Sequence, residues 1–185
     1  MVGKKNVVFG FIFLVFTAGL GPLMIIEYMP ETGAAGAEKQ EKVGRLQQLR
    51  SDEFEEELEP LAPEAIAKAN TDGILALNRL TNARQPIEMI RNPHAHGNLE
   101  ALLNIAVGIA LCFIAVAPMF KQVISWVFIV GTLLHSGTMY LAIIFQMAWA
   151  ATLMETGIGA GLVLLGLLLA GVAAAMGMRG EVVTD

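Results

Sequence analysis

Residues 122–154 read QVISWVFIVGTLLHSGTMYLAIIFQMAWAATLM, a run without one Lys, Arg, Asp or Glu. A helix rising about 1.5 Å per residue needs roughly 20 residues to cross about 30 Å of hydrocarbon. The run is long enough for that crossing, and the lack of charge makes its insertion favourable. Three more charge-free runs cover residues 6–26, 101–120 and 156–178. Together they predict an all-α integral membrane protein with four transmembrane helices, at about residues 6–29, 97–119, 122–148 and 153–178.

The whole chain of 185 residues is 55% hydrophobic and 16% charged, well off the balance of a water-soluble domain. Most of its charge lies in one stretch. Residues 31–93 hold eight basic and twelve acidic side chains, for a net charge of −4 out of −5. No basic patch points to nucleic acid. Cys112 is the single cysteine, which excludes an intramolecular disulfide and a Cys-based metal site. No Walker-type loop, Ser-His-Asp order or HExxH motif supports nucleotide or hydrolase chemistry.

Charge also predicts orientation. Lys4 and Lys5 precede helix one, Lys121 joins helices two and three, and Arg179 follows helix four, all on one side under alternating threading. Both termini are then cytoplasmic, the membrane being the inner membrane if the protein is bacterial. The apolar run after Lys5 exceeds the core of a signal peptide and is expected to be a retained helix. Residues 31–92 form an acidic, extramembrane helical insert on the periplasmic side, facing a possible periplasmic partner. Within it, 38–58 and 64–82 read as helices separated by Pro60 and Pro63. Val43, Leu46, Leu49 and Phe54 offer a partial apolar stripe on the first, and Ile66, Ile74, Leu77 and Leu80 on the second.

Local signals mark the helix ends. Asn92 and Pro93 suit the cap and first position of helix two. Thr152 and Glu155 have the spacing of a capping box for helix four. Gly19, Gly21 and Pro22 predict a kink in helix one. Gly157 and Gly161, followed by Gly166 and Gly171, predict close helix packing.

Ionisable groups at membrane depth cost several kcal/mol unless paired or solvated, so they are the first candidates for function. His96, Glu100 and Asn104 recur every four residues and share one helix face, continued by Gly108 and Cys112. His135 sits mid-run, with Thr132, Ser136 and Met139 on its face. Counting inward from the expected outer ends places His135 level with Gly108, which would leave room for a ring or cofactor. Glu27 is expected near the depth of His96, with Met24, Met29, Met147 and Met154 in the same zone. This set predicts a metal or haem site, with His135 a candidate axial cofactor ligand and His96, Glu100, Glu27, Met24 and Met154 candidate metal ligands, copper among the ions they suit. His94 and His96 lie about 200° apart on a regular helix and should not chelate one ion.

The segment Arg91-Asn-Pro-His94-Ala-His96-Gly-Asn98-Leu99 resembles the His-Ala-His-x-Asn-Leu stretch of short membrane proteins related to haem-copper oxidase and nitric oxide reductase subunit I. The pattern Gly131-Thr-Leu-Leu-His135-Ser-Gly137 and the Gly-rich outer half of helix one are also similar to that group. Gly97, Glu100 and Ala101 depart from its pattern. The resemblance implies haem binding at His94 or His96. It also implies that four helices correspond to one arc of the large subunit, which a homotrimer would rebuild into a ring. Three His residues are too few for two haems and a copper, so autonomous oxygen reduction is not expected.

Three functions are therefore expected as alternatives. The first is a haem- or copper-binding membrane protein in electron transfer or metal handling, as a homo-oligomer. The second is a structural or assembly subunit of a membrane complex. The third is a proton or small-solute pathway lined by Glu27, Glu100, Asn104 and His135.

Overall fold

A computed structural model of the protein describes residues 1–56 and 59–183. Among the described residues the chain is helical apart from one antiparallel pair of two-residue strands and an isolated bridge between Ile114 and Met178. In order, it forms α1 (Lys4–Leu23), a π-helical turn (Met24–Tyr28), α2 (Met29–Ser51), β1 (Glu55–Glu56), β2 (Glu59–Pro60) and α3 (Pro63–Leu111). There follow α4 (Pro118–Thr132), a second π turn (Leu133–Gly137), α5 (Thr138–Ile144), α6 (Ala148–Glu155) and α7 (Ile158–Gly177). It divides into two compact units, one of Met1–Gly21 with Met89–Asp185, the other Pro22–Glu88.

Among the described residues, three helical stretches are long and apolar enough to cross a membrane: Lys4–Ser51, Pro118–Ile144 and Ile158–Gly177. The expected second span differs, because the charge-free residues 101–120 are divided by the end of α3 at Leu111. The preceding turns carry His94, His96, Asn98, Glu100 and Asn104, which lower the hydropathy of that part of the helix.

Several expected boundaries move. No helix starts at Asn92, since α3 runs through Pro86 and Pro93. A proline inside a helix removes one donor and costs about 3 kcal/mol. Pro93, expected at the first position of a new helix, is instead buried in the interior of α3. Helix one does not stop near residue 29: the helical stretch continues to Ser51, with the first π turn beginning two residues after Pro22. Lys121 is not in a connecting loop. It lies in the first turn of α4 and is 1% exposed.

The expected fourth helix is two. Gly157, at φ 69°, separates α6 from α7 in a left-handed conformation that glycine adopts without a Cβ clash. Thr152 therefore caps nothing, and its hydroxyl donates back to the Ala148 carbonyl. Thr156 takes the capping role, its Oγ1 accepting from Ile158 N–H at 3.3 Å.

In the unit Pro22–Glu88, Ala35 of α2 packs with Leu80 and Ala83 of α3, and Leu49 is buried. Ile74 and Leu77, expected to pack, are exposed. Leu58, the expected end of the first insert helix, lies outside the described residues, and α2 itself ends at Ser51.

In the other unit, Leu111, Ile114, Ile124, Phe128 and Ala173 form a core joining α3, α4 and α7. Gly131 meets Leu162 and Val163, and Gly166 meets the Phe128 ring, so α4 and α7 approach closely. At one end, the 112–117 connection pairs with the chain after α7. Ala115 N–H donates to the Gly177 carbonyl at 2.7 Å, and Arg179 N–H to the Phe113 carbonyl at 2.7 Å.

Candidate metal centre

His96 and Glu100 lie one turn apart on α3, and His135 lies in the second π turn between α4 and α5. Their ligand atoms all fall within 4.8 Å of one another. His135 Nδ1 and Glu100 Oε1 are hydrogen-bonded. The rings of His96 and His135 meet edge to face, with centroids 5.2 Å apart at 72°. Glu100 is 4% exposed, His135 is half-buried and His96 is exposed, so the cluster has a closed and an open side.

Glu100 Oε2 is buried and has no hydrogen-bond partner among the described residues. An uncompensated buried carboxylate oxygen is costly, and a bound cation is one way to satisfy it. The Ser136 hydroxyl, on the same π turn, is also buried without a partner. π turns often occur at functional sites, because the wider ladder re-aims side chains that a regular helix would hold elsewhere.

One turn below Glu100, a buried polar cluster ties three helices together. Asn104 Nδ2 donates to the Glu100 carbonyl at 3.0 Å and to Thr132 Oγ1 at 2.9 Å. Asn6 Nδ2 of α1 donates to Asn104 Oδ1 at 3.0 Å and to the Ser125 carbonyl at 3.1 Å. The Ser125 hydroxyl donates in return to Asn6 Oδ1. Every strong donor and acceptor used here has a partner, as burial in apolar surroundings requires.

His94 belongs to a different arrangement. Its Nδ1 lies 2.8 Å from the Thr17 carbonyl oxygen of α1, which can only accept, so Nδ1 carries the proton of that bond. The ring lies beside Gly21, where a Cβ would come within 3.3 Å of Cε1. The Thr17 hydroxyl donates to Asn98 Oδ1 at 2.8 Å. His94 thus serves the α1–α3 contact, and the two histidines of the His-Ala-His segment point to separate places.

Of the other expected ligands, Met24 and Glu27 lie in the first π turn, within the unit Pro22–Glu88, and Met154 lies on α6; among the described residues Glu27 is not a member of the His96, Glu100, His135 group. His135 is not level with Gly108 but pairs with Glu100, two turns away. The count assumed helix ends near residues 97 and 148, whereas α3 begins far earlier and α5 stops at Ile144. Gly108 leaves no room for a cofactor, since it packs on Gly3 and on Val7 of α1.

Among the expected packing glycines only Gly166 touches a neighbouring helix, while Gly157 makes a turn and Gly161 has nothing within 4 Å. Gly159, which the four-residue spacing passed over, packs against the backbone of Leu134 and His135. Asn6, Ser125 and Thr17 were also overlooked. Their signal was present as single polar residues inside apolar runs, which must find partners when buried.

No protein-family model, no curated protein and no solved structure matches the chain.

Proposed function

We propose that this is an integral membrane protein that binds a transition-metal ion at His96, Glu100 and His135, in metal handling or electron transfer. The observation that carries the reading is the Glu100 carboxylate. It is buried, engages His135 through one oxygen, and has its second oxygen unpartnered beside a second imidazole. Two imidazoles and a carboxylate form a donor set accepted by copper(II), iron(II) and zinc. Of the cofactors expected from the sequence, the compact grouping favours a bare ion, copper, over haem b, whose macrocycle would need space between the ligands. A relationship to haem-copper oxidase subunit I is retained as a proposal resting on the His-Ala-His segment alone.

In this reading the apolar end of α3 crosses the bilayer as a fourth span, its polar residues turned toward α1 and α4. Lys121 and Arg179 sit by the paired 112–117 and 178–183 segments, and Lys5 stacks over the Trp126 ring at 4.3 Å, so the basic flanks gather at one end. That end is cytoplasmic by the charge rule, in a bacterial inner membrane, and the acidic residues 31–92 meet a periplasmic partner. The open face of Gly161 seats a second copy in a homo-oligomer. Gly161→Leu then reduces particle size in detergent.

Metal analysis and an absorption spectrum of the purified protein test the proposal. About one ion per chain is expected, lost in Glu100→Gln. A colourless, metal-free preparation that takes up neither copper nor haem overturns it. A proton pathway is the second reading, favoured by the buried line from Glu100 through Asn104 to Asn6 and Ser125. Proton flux in proteoliposomes that falls in Glu100→Gln, without any metal bound by the native protein, would select it.

A further inference from the structure

On the metal reading above, we infer that Asn104 is a positioning residue: through Thr132 it fixes where the second π turn begins, and so where His135 meets Glu100. Each polar atom of its side chain is committed. Nδ2 holds the Glu100 carbonyl and Thr132 Oγ1, and Oδ1 receives Asn6. None of these bonds goes to a ligand atom. One goes to the backbone of one ligand residue, one to the residue that immediately precedes the turn bearing the other, and the third to Asn6 of α1.

Thr132 is the last α-helical residue before Leu133–Gly137. A π turn holds one more residue than an α turn, so residues beyond its start are displaced by about 100° relative to a regular helix. The azimuth of His135 therefore depends on where the extra residue is accommodated. Asn104 marks that place from the α3 side, and Gly159 of α7 closes against Leu134 and His135 from the other. The same amide grips the turn of α3 that carries Glu100. One side chain thus sets the separation of two ligands that belong to different helices.

Copper(II) titration of the full chain in detergent micelles, with chelator competition and electron paramagnetic resonance, tests this. Thr132→Val keeps the side-chain shape and deletes the hydroxyl, and Thr132→Ser restores it. Val is expected to weaken copper binding about 10- to 100-fold, the range for outer partners of metal ligands, and to alter the resonance spectrum. Ser is expected to recover both, and Asn104→Leu to match or exceed Val. If Asn104→Leu does not fold, the Val and Ser pair decides. Native affinity and spectrum in Thr132→Val, or equal damage from Val and Ser, overturns the positioning role and leaves the metal reading standing. Failure of the native protein to bind copper overturns both.

Discussion

Gly159 of α7 lies so close to the backbone of His135 that a Cβ at that position would overlap the Leu134 carbonyl carbon and the His135 nitrogen. The contact is with backbone, which cannot rotate away as the end of a side chain can. It seats the turn that carries His135 against a rigid neighbouring helix, and it makes the two glycines at 159 and 161 opposite in consequence.

Gly159→Ala is expected to destabilise the protein by about 1–3 kcal/mol, the usual cost of overpacking. Gly161 has nothing within 4 Å, and Gly161→Ala is expected to be neutral or to add up to about 1 kcal/mol from helix propensity. Thermal unfolding of both variants in the same detergent checks the contrast. Equal melting temperatures would contradict it.

His94 and His96 should separate by function. His94→Ala loses the bond to the Thr17 carbonyl and is expected to lower stability by about 0.5–1.5 kcal/mol while leaving bound metal unchanged. His96→Ala removes a member of the ligand group and is expected to lower metal content with little effect on unfolding, because that side chain is exposed. Metal analysis beside a melting curve measures both.

Asn6 joins α1 to α3 and α4 through Asn104 and Ser125, and is fully buried. Asn6→Leu leaves the Asn104 carbonyl oxygen and the Ser125 hydroxyl without those partners, at about 1–3 kcal/mol for each buried group. Unfolding by denaturant in mixed micelles should show a loss well above that of an exposed substitution such as Val15→Ala on the same helix.

Arg79 and Glu38 pair at 2.8 Å between α3 and α2 within the unit Pro22–Glu88, with Arg79 exposed and Glu38 half-buried. A double-mutant cycle with Arg79→Ala and Glu38→Ala is expected to give a coupling below about 1 kcal/mol. The coupling should shrink further as salt rises from low to physiological strength, because solvated charges are screened.

How legible each part was depended on the range of the interaction behind it. The apolar character of residues 6–26, 122–154 and 156–178 was plain in the sequence, and so were the breaks at Pro60 and Pro63 and the shared face of Glu100 and Asn104. The boundary at Asn92 was misread because a cap signal weighs one turn, whereas the burial of Pro93 belongs to the packed bundle. The capping box at Thr152 was misread because Gly157 turns the chain five residues further on.

The sequence by itself determined that this is a helical chain with stretches long and apolar enough to cross a membrane, since transfer into hydrocarbon is a sum of local terms along the chain. It also named His96, Glu100 and His135 as costly residues that need a reason. Only the tertiary structure decided that Glu100 pairs with His135, that His94 turns away to α1, and that Gly159 rather than Gly161 makes the close contact. Those outcomes depend on helix rotation. A single π turn shifts the downstream face by about 100°, and no local count of residues from an assumed helix end can supply that phase.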